Sequence, residues 1–226
     1  MKLGIVGLPN VGKSTLFNAI TGGFIADEGS ILLGGQDITF APEHQRSKVI
    51  GHLFQDPLKG TAPNMTIEEN LALAYLRAGT APNAIFSRIS RKDKALFREK
   101  LALLDMGLED RMKQPVGLLS GGQRQAMALL MSTMTPIEFL ILDEHTAALD
   151  PKTADIIMEL TDKVVKEKHL TTIMVTHNLR YAVEYGNRLL MMHQGHAIID
   201  KAGEEKKKIQ IDHTLEKFNE ISIECG

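Results

Sequence analysis

The sequence has almost no cysteine, no excess of basic charge and no long apolar run, and each absence excludes a class of protein. Its one cysteine, Cys225, lies beside the C-terminus, so an intrachain disulfide is impossible and a reducing, cytoplasmic compartment is expected. With 26 basic and 28 acidic residues, the chain lacks the positive footprint that direct nucleic-acid binding requires. No run approaches the ~18 apolar residues of a membrane span. We therefore expect no direct membrane insertion, and any membrane contact should come through a partner.

What the sequence does contain is an alternation of apolar strand-like and amphipathic helix-like segments, which is typical of an α/β protein. Three short apolar or β-branched runs predict buried parallel strands, at residues 3–6, 139–142 and 172–175, and residues 49–54 are another strand candidate. Residues 14–20 and 154–168 predict helices that follow or connect these strands. Two further runs, at 189–192 and 197–199, are joined through Gln194-Gly195 and predict a terminal hairpin.

Residues 66–134 differ from the rest and predict a mostly helical insertion. Thr66 and Glu69 form a capping-box pattern, residues 91–106 have the charge pattern of an amphipathic helix, and another helix should open near Gly121. Near the other end of the chain, the charged run 204–208 mixes both signs and predicts a solvated loop.

A glycine-rich loop follows the first predicted strand and reads G-x-x-x-x-G-K-S, the pattern of a phosphate-binding P-loop. Its backbone amides and the positive end of the next helix would hold phosphate oxygens. Lys13 would meet the β- and γ-phosphates, and the Ser14 hydroxyl would complete the shell of a Mg²⁺ ion. The predicted nucleotide contacts here are Gly7, Leu8, Pro9, Asn10, Val11, Gly12, Lys13, Ser14 and Thr15.

Two carboxylates follow the strand predicted at residues 139–142. Asp143 comes at the carboxyl end of an apolar run, where parallel sheets bind ligands, and could hold Mg²⁺ opposite Ser14. Glu144 could orient or deprotonate a water molecule that attacks the γ-phosphate.

A second glycine pair, in Leu119-Ser120-Gly121-Gly122-Gln123, opens the predicted helix near residue 121. Free amides at a helix N-terminus can bind a second anion, although one nucleotide does not need two such loops from one subunit. A simple glycine turn with a serine cap has the same spacing, so the residues alone leave both interpretations open.

The text LSGGQ, followed by Arg124 and Gln125 and then by LILDE, resembles the signature of ABC-transporter ATPases. The resemblance covers roughly residues 22–226, and further family motifs fall in order. Gln55 in FQDP resembles the Q-loop, residues 147–150 resemble the D-loop, and His177 in VTHN resembles the switch histidine.

This resemblance implies a P-loop ATPase with a RecA-like, mostly parallel core of residues 1–56 and 135–226 and an inserted helical signature subdomain of residues 57–134. Two subunits would form a head-to-tail homodimer or a pair with another ABC subunit, bound to a membrane permease at the inner face of the membrane. Each ATP would lie between the P-loop of one subunit and the signature loop of the other. By this resemblance, Glu144 is the catalytic carboxylate and His177 contacts the γ-phosphate. Gln55 contacts Mg²⁺ together with Ser14 and Asp143. The implied nucleotide contacts of the signature loop and the D-loop are Ser120, Gly121, Gly122, Gln123 and Asp150.

The amino terminus departs from this family. ABC ATPases carry further strands before the P-loop strand, including an aromatic residue that stacks on adenine, so we expect that antiparallel β-subdomain to be largely missing. Residues 1–23 instead resemble the start of the Obg-like GTPases, which predicts a chimera. Loss of the stacking partner would cost ~1–3 kcal/mol of base binding, and ATP and GTP would then bind similarly. Residues 22–40 would have an exposed surface, and His145 replaces a proline common in the family.

Three functions follow from these patterns. The first is the ATP-hydrolysing subunit of a transporter, and the second is a P-loop chimera that binds nucleotide with little or no turnover. The third is a soluble GTPase, which would need an N-K-x-D motif that the sequence does not contain. No residue pattern names the transported solute.

Overall fold

A six-stranded sheet forms the centre of the protein, in a computed structural model that describes residues 3–7, 13–76, 89–193 and 196–209. The strand order is β4-β5-β6-β1-β7-β8, and all neighbours are parallel except β7 and β8. This confirms the predicted α/β fold with a mostly parallel sheet. The strands are β1 (Leu3–Gly7), β4 (Ile50–Leu53), β5 (Phe139–Asp143), β6 (Thr171–Thr176), β7 (Arg188–His193) and β8 (His196–Ala202), with a separate hairpin of β2 (Leu32–Leu33) and β3 (Gln36–Asp37).

Helices connect and flank these strands, and α6 is the crossover that returns the chain from β5 to β6. Its apolar stripe, which includes Ile157 and Met158, is completely buried. The helices are α1 (Lys13–Thr21), α2 (Glu43–Arg46), α3 (Ile67–Leu76), α4 (Arg91–Ala102), α5 (Gly121–Thr133), α6 (Pro151–Glu167), α7 (Leu179–Glu184) and α8 (Gly203–Lys207), with a 3₁₀ turn at Val116–Leu118.

The helical segment has a hydrophobic core of its own, and α5 joins it to the sheet. Leu71 of α3, Phe97 of α4 and Met127 of α5 belong to the helical core, while Leu129 of α5 packs with Leu140 of β5. Each fully buried side chain of this size contributes roughly 1.5–3 kcal/mol of transfer free energy. Because α5 contributes to both cores, the position of its N-terminus is fixed relative to the sheet.

Several predicted element boundaries are confirmed and others are wrong. The capping box is present, since the Thr66 amide donates to Glu69 Oε2 at 2.7 Å and the Glu69 amide donates to Thr66 Oγ1 at 3.3 Å. The helix predicted for residues 91–106 ends at Ala102, because Asp105 has a left-handed backbone with a φ of 53°. The hairpin strands β7 and β8 are antiparallel as predicted, whereas the joining residues 194–195 lie outside the described residues.

The charged run 204–208 is not the predicted solvated loop. It forms most of α8, and Lys206 is only 4% exposed. The Lys206 ammonium donates to the carbonyls of Tyr185 and Gly186, so it lies at the C-terminal end of α7. Mixed charge alone did not distinguish this lysine from its exposed neighbours.

The segment 22–40 has the exposed apolar surface that the sequence predicts. Four large side chains are exposed there, and Phe40 is 78% exposed; the others are Phe24, Ile25 and Leu32. The segment is nevertheless anchored, because the buried Arg46 guanidinium donates to the carbonyls of Thr39 and Ala41 and to those of Ala19 and Ile20 at the end of α1. Within the described part of the chain, no helix is long and apolar enough to cross a membrane.

Candidate functional site

The predicted site residues follow parallel strands that end at one edge of the sheet. Across the sheet, Val6 lies opposite Thr176, Asp143 opposite Val175, and Leu53 opposite Leu142. Since neighbouring strands lie about 4.8 Å apart, the loops after β1, β4, β5 and β6 begin side by side. This edge is where open α/β sheets bind ligands.

The P-loop segment joins the centre of the sheet to α1. Strand β1 ends at Gly7 and α1 begins at Lys13, so Lys13, Ser14 and Thr15 lie in the first turn of a helix whose N-terminus faces this edge. Leu8, Pro9, Asn10, Val11 and Gly12 lie outside the described residues. The backbone on both sides of the loop therefore has the strand-to-helix order that the motif requires.

Glu144 adopts an unusual backbone conformation directly after β5. Its φ is 45°, in the left-handed region that costs non-glycine residues roughly 1–3 kcal/mol. The conformation is held by two hydrogen bonds: the Glu144 amide donates to Val175 O at 3.0 Å, and its carbonyl accepts from the Ala147 amide at 2.9 Å. The chain therefore turns sharply here, and the Glu144 side chain directly after β5 is 22% exposed.

The structure brings together the two residues predicted to act on the γ-phosphate. Glu144 Oε2 lies 3.3 Å from His177 Nδ1, although the imidazole is 57% exposed. At this distance the two side chains form an ion pair when the imidazole is protonated. His177 directly follows β6, which is the neighbour of β5 in the sheet.

A cavity of about 370 Å³ lies beside this pair. It is lined by Glu144 and His177 together with residues of the D-loop and the start of α7, among them Ala147, Leu149 and Asn178. The pair is thus partly exposed to a polar space and is not sealed in the core.

Asp143 and Gln55 extend the same edge. Asp143 is the last residue of β5 and is partly buried. Gln55 is exposed and comes directly after Phe54, the first residue beyond the neighbouring strand β4. A carboxylate, an amide and the hydroxyl of Ser14 are all oxygen donors, the ligand type that Mg²⁺ prefers. The residues present therefore fit a magnesium ion.

The signature loop is a capped helix N-terminus at the protein surface. Ser120 Oγ accepts from the Gln123 amide at 3.3 Å, and Gln123 Oε1 accepts from the Ser120 amide at 3.2 Å. Ser120 and Gly121 are exposed, whereas Gly122 is buried against Thr153 of α6. The serine cap of a helix is therefore confirmed, and binding of an anion by this loop stays a prediction.

Asp150 has a structural use that the sequence-based assignment to the nucleotide did not include. Its carboxylate is the N-cap of α6 and accepts from the Thr153 amide at 3.1 Å. Hydrogen bonding to Thr153 lowers the pKa of Asp150 below the usual range of an aspartate. The pattern Asp-Pro-x-Thr, with proline at the first helical position, signals this cap.

Two buried residues beside the site were not identified as functional from the sequence. His145 is fully buried next to Glu144, its Nε2 lies 3.4 Å from Thr161 Oγ1, and burial lowers its pKa to about 4. Gln125 is 1% exposed and donates through Nε2 to the Phe54 carbonyl at 3.3 Å. A polar residue inside the apolar face of α5 was the available sequence signal for Gln125.

Comparison with known proteins gives the family of this chain. A family model described as "ABC transporter" matches residues 1–147. A tyrosine transport ATP-binding protein of Clostridioides difficile (strain R20291) is 43% identical over 214 residues, covering 95% of this chain and 84% of the relative. The matched family range includes residues 1–23, and the resemblance of that segment to Obg-like GTPases stays a prediction.

Solved structures give the same result for the fold. A nucleotide-free ATP-binding cassette from an ABC transporter aligns with a TM-score of 0.76 at 28% identity, covering 98% of this chain and 87% of the other. A dimeric cassette in a post-hydrolysis state, bound to ADP and Pi, aligns with a TM-score of 0.72 at 27% identity, covering 89% and 84%. Because the family model spans well over half of the chain and the site motifs lie at one sheet edge, this protein belongs to the ABC transporter family as an ATP-binding subunit that hydrolyses ATP.

Proposed function

We propose that Glu144 and His177 are the groups that act on the γ-phosphate when this subunit hydrolyses ATP. The observation that carries the proposal is their 3.3 Å contact, at the edge where β1 delivers the P-loop. Two polar side chains from different loops meet there only because β5 and β6 are neighbours. A structural ion pair would not need the left-handed backbone of Glu144, whose cost must be offset by the surrounding fold.

In the proposed mechanism, the P-loop amides and Lys13 hold the β- and γ-phosphates. Glu144 Oε2 accepts a hydrogen bond from the attacking water and takes its proton as the new bond to phosphorus forms, while the bond between the γ-phosphorus and the bridging oxygen breaks and ADP leaves. His177, which holds the same oxygen through Nδ1, fixes the carboxylate and can turn its exposed ring toward the γ-phosphate. Ser14, Gln55 and Asp143 would hold a magnesium ion, which would supply positive charge near the phosphate oxygens.

The second half of the site comes from a partner subunit in this proposal. Ser120 and Gly121 are exposed at the start of α5 and Gln123 is partly exposed, so a second copy can reach them. Two copies in a head-to-tail arrangement place this loop of each against the nucleotide of the other. The proposed subunit has a core of residues 1–56 and 135–226 and a helical lobe of residues 57–134.

The proposed membrane partner is a permease that binds beside the Gln55 loop on the cytoplasmic side. A cavity of about 390 Å³ lies there between strand β4 and the helical lobe, lined by Phe54, Pro57, Leu73 and Met131 among others. Its lining is largely apolar, which suits an inserted helix end. The relative from C. difficile is named for tyrosine transport, so tyrosine is the first solute to test with this permease.

The central experiment measures phosphate release from ATP and from GTP for the wild type and for Glu144→Gln. The amide keeps the shape of the side chain but cannot take a proton, so turnover should fall by about 10²–10⁴-fold. Nucleotide affinity should be retained, since phosphate contacts come from the P-loop. Undiminished hydrolysis in Glu144→Gln would contradict the assignment of the catalytic carboxylate.

The nucleotide used in this experiment also separates the alternative functions. Strict preference for GTP would support the GTPase hypothesis and the proposed chimeric origin of residues 1–23. Binding of both nucleotides without release of phosphate by the wild type would support the nucleotide-binding module. Comparable hydrolysis of ATP and GTP would agree with the predicted loss of base discrimination.

A further inference from the structure

Gln125 joins the two nucleotide-contacting loops of one subunit. It lies in the first turn and a half of α5, two residues after Gln123 of the signature loop, and its side chain is 1% exposed. Through Nε2 it donates to the carbonyl of Phe54 at 3.3 Å, a residue 71 positions earlier in the sequence. Phe54 is the residue immediately before Gln55.

The Phe54 end of this contact is well fixed. Its ring stacks against His52 of β4 with the centroids 4.0 Å apart, and β4 pairs with β5 along its whole length. At the other end, Gly122 and Gly121 of the same helix turn lie against Thr153 and Leu149. The Gln125 amide is therefore the polar contact that ties the start of α5 to the Gln55 loop.

Packing alone does not explain a glutamine at this position. Its Oε1 is buried and has no hydrogen-bond partner in the part of the chain that the structure describes. An unsatisfied buried acceptor lowers stability, and an apolar side chain of similar shape such as methionine would avoid that cost. The single donated hydrogen bond to Phe54 is what the glutamine offers and methionine does not.

We propose that Gln125 is a positioning residue that holds Gln55 in place relative to the signature loop. The proposal rests on the proposed function, in which Gln55 serves the nucleotide of its own subunit and the Ser120 loop serves that of the partner. Through Gln125, a change at either loop acts on the other. One hydrogen bond of this kind carries an effect of about 2–10-fold on an equilibrium or rate.

The test is a double-mutant cycle on the rate of ATP hydrolysis by the full chain, with Gln125→Met, Gln55→Ala and the double variant. If Gln125 acts through Gln55, Gln125→Met lowers kcat about 2–10-fold alone and lowers it no further in the Gln55→Ala background. Losses that multiply in the double variant overturn the proposal, because they show that the two residues act independently.

The matched control is Thr133→Val on the same helix. Thr133 is 1% exposed and its hydroxyl donates to the carbonyls of Leu129 and Leu130 within α5, so this change also removes buried hydrogen bonding but does not touch the Gln55 loop. Its effect on kcat should multiply with that of Gln55→Ala. Should Gln125→Met not fold, Gln125→Leu also removes the donor without adding a buried charge and enters the same cycle.

A second readout does not depend on turnover. In the Glu144→Gln background, the Mg²⁺ concentration needed for half-maximal ATP-driven dimerisation, followed by light scattering, should rise about 2–10-fold with Gln125→Met and not with Thr133→Val. An unchanged Mg²⁺ requirement overturns the role of Gln125. Absence of any ATP-driven dimer in Glu144→Gln itself would instead count against the proposed function, so the two failures are distinguishable.

Discussion

At the scale of single residues, the site depends on buried polar groups that stand behind the exposed ones. Glu144 and His177 reach the surface, but the chain between β5 and the D-loop is anchored by His145, whose ring is in the core. Thr161 donates its own hydroxyl hydrogen to Ile157 O at 2.7 Å, so its oxygen is available to accept from His145 Nε2. Burial lowers the pKa of His145 to about 4 and so keeps the imidazole neutral near pH 7, and its contact with Thr161 anchors the chain directly after Glu144.

This neutral imidazole predicts a loss of stability in mild acid. Burial lowers the pKa of His145 from 6.5 in its ordinary state to about 4, so the unfolded chain binds a proton there before the folded one does. The corresponding stabilisation is complete above pH 6.5 and is lost as the pH falls toward 4, with a magnitude of about 3 kcal/mol. This loss of stability is measured by urea unfolding of the wild type and of His145→Gln at pH 7.0, 5.5 and 4.5, in ~0.1 M salt.

The variant should show a smaller decrease in the free energy of unfolding between pH 7 and 4.5 than the wild type. His44→Gln is the control, since His44 is exposed and its replacement should leave the pH dependence of the wild type. His52, whose pKa burial also lowers to about 4, contributes to the decrease in every variant. If the free energy of unfolding decreased equally with pH in the wild type and in His145→Gln, the result would contradict a buried, neutral His145.

At the scale of elements, the close contact between α5 and α6 fixes the signature loop. A Cβ atom added to Gly122 would lie 2.3 Å from Thr153 Cγ2, far inside van der Waals contact. Gly122→Ala should therefore displace the start of α5 or α6, lower the free energy of unfolding by about 1–3 kcal/mol and reduce ATP hydrolysis. Thermal unfolding and phosphate release measure the two effects.

A second substitution tests the cause of this effect. Thr153→Ser removes the Cγ2 methyl group while it retains the backbone amide that Asp150 caps, so Gly122→Ala with Thr153→Ser should recover most of the stability and activity. Gly60→Ala is the control for added volume, because the nearest atom to its new Cβ is 3.7 Å away. Failure of Thr153→Ser to rescue would show that the glycine is required for another reason.

The sequence predicts elements well where one periodic pattern dominates. The apolar runs of β5 and β6 and the capped start of α5 were predicted within one or two residues. The anchoring of Arg46 and Lys206 was not predictable, because each charged side chain is satisfied by backbone carbonyls brought from elsewhere in the fold. Local charge carries no information about such distant acceptors.

The sequence motifs of the site are predictable, whereas the contacts between residues that are distant in the sequence are not. The P-loop and the carboxylates after β5 can be recognised in the sequence, because their glycine, lysine and acidic residues must lie at fixed distances from a strand end. The contact of Glu144 with His177 needed the strand order β5-β6, and that of Gln125 with Phe54 needed the packing of α5 on β4. Tertiary adjacency of this kind has no signal in one sequence.

At the scale of the whole molecule, one subunit carries two separate loops that the proposed function assigns to different nucleotides. The P-loop and Glu144 lie at the sheet edge, while the Ser120 loop is exposed at the start of α5 in the helical segment. If the functional unit is a head-to-tail pair, a variant with a defective P-loop and a variant with a defective Ser120 loop should together recover ATP hydrolysis when they are mixed. Restoration requires that each variant spoils a different half of the composite site.

Lys13→Ala and Ser120→Glu are such variants, since the first removes the phosphate contact of the P-loop and the second places a carboxylate in the partner's anion site. Each alone should lose nearly all ATP hydrolysis. In an equal mixture, half of the pairs are mixed and each mixed pair has one intact site, so about a quarter of the wild-type rate should return. Phosphate release after mixing, as a function of total protein concentration, measures the recovery.

The mixture of Lys13→Ala with Glu144→Gln is the matched control. Both residues belong to the same half of the composite site, so every site in a mixed pair carries one defect and the mixture should stay inactive. Recovery in the first mixture with none in the second requires that Ser120 serves a nucleotide bound by another subunit. Inactivity of both mixtures would mean that each subunit completes its own site, and the exposed Ser120 loop would then be only the cap of α5 that its hydrogen bonds with Gln123 already explain.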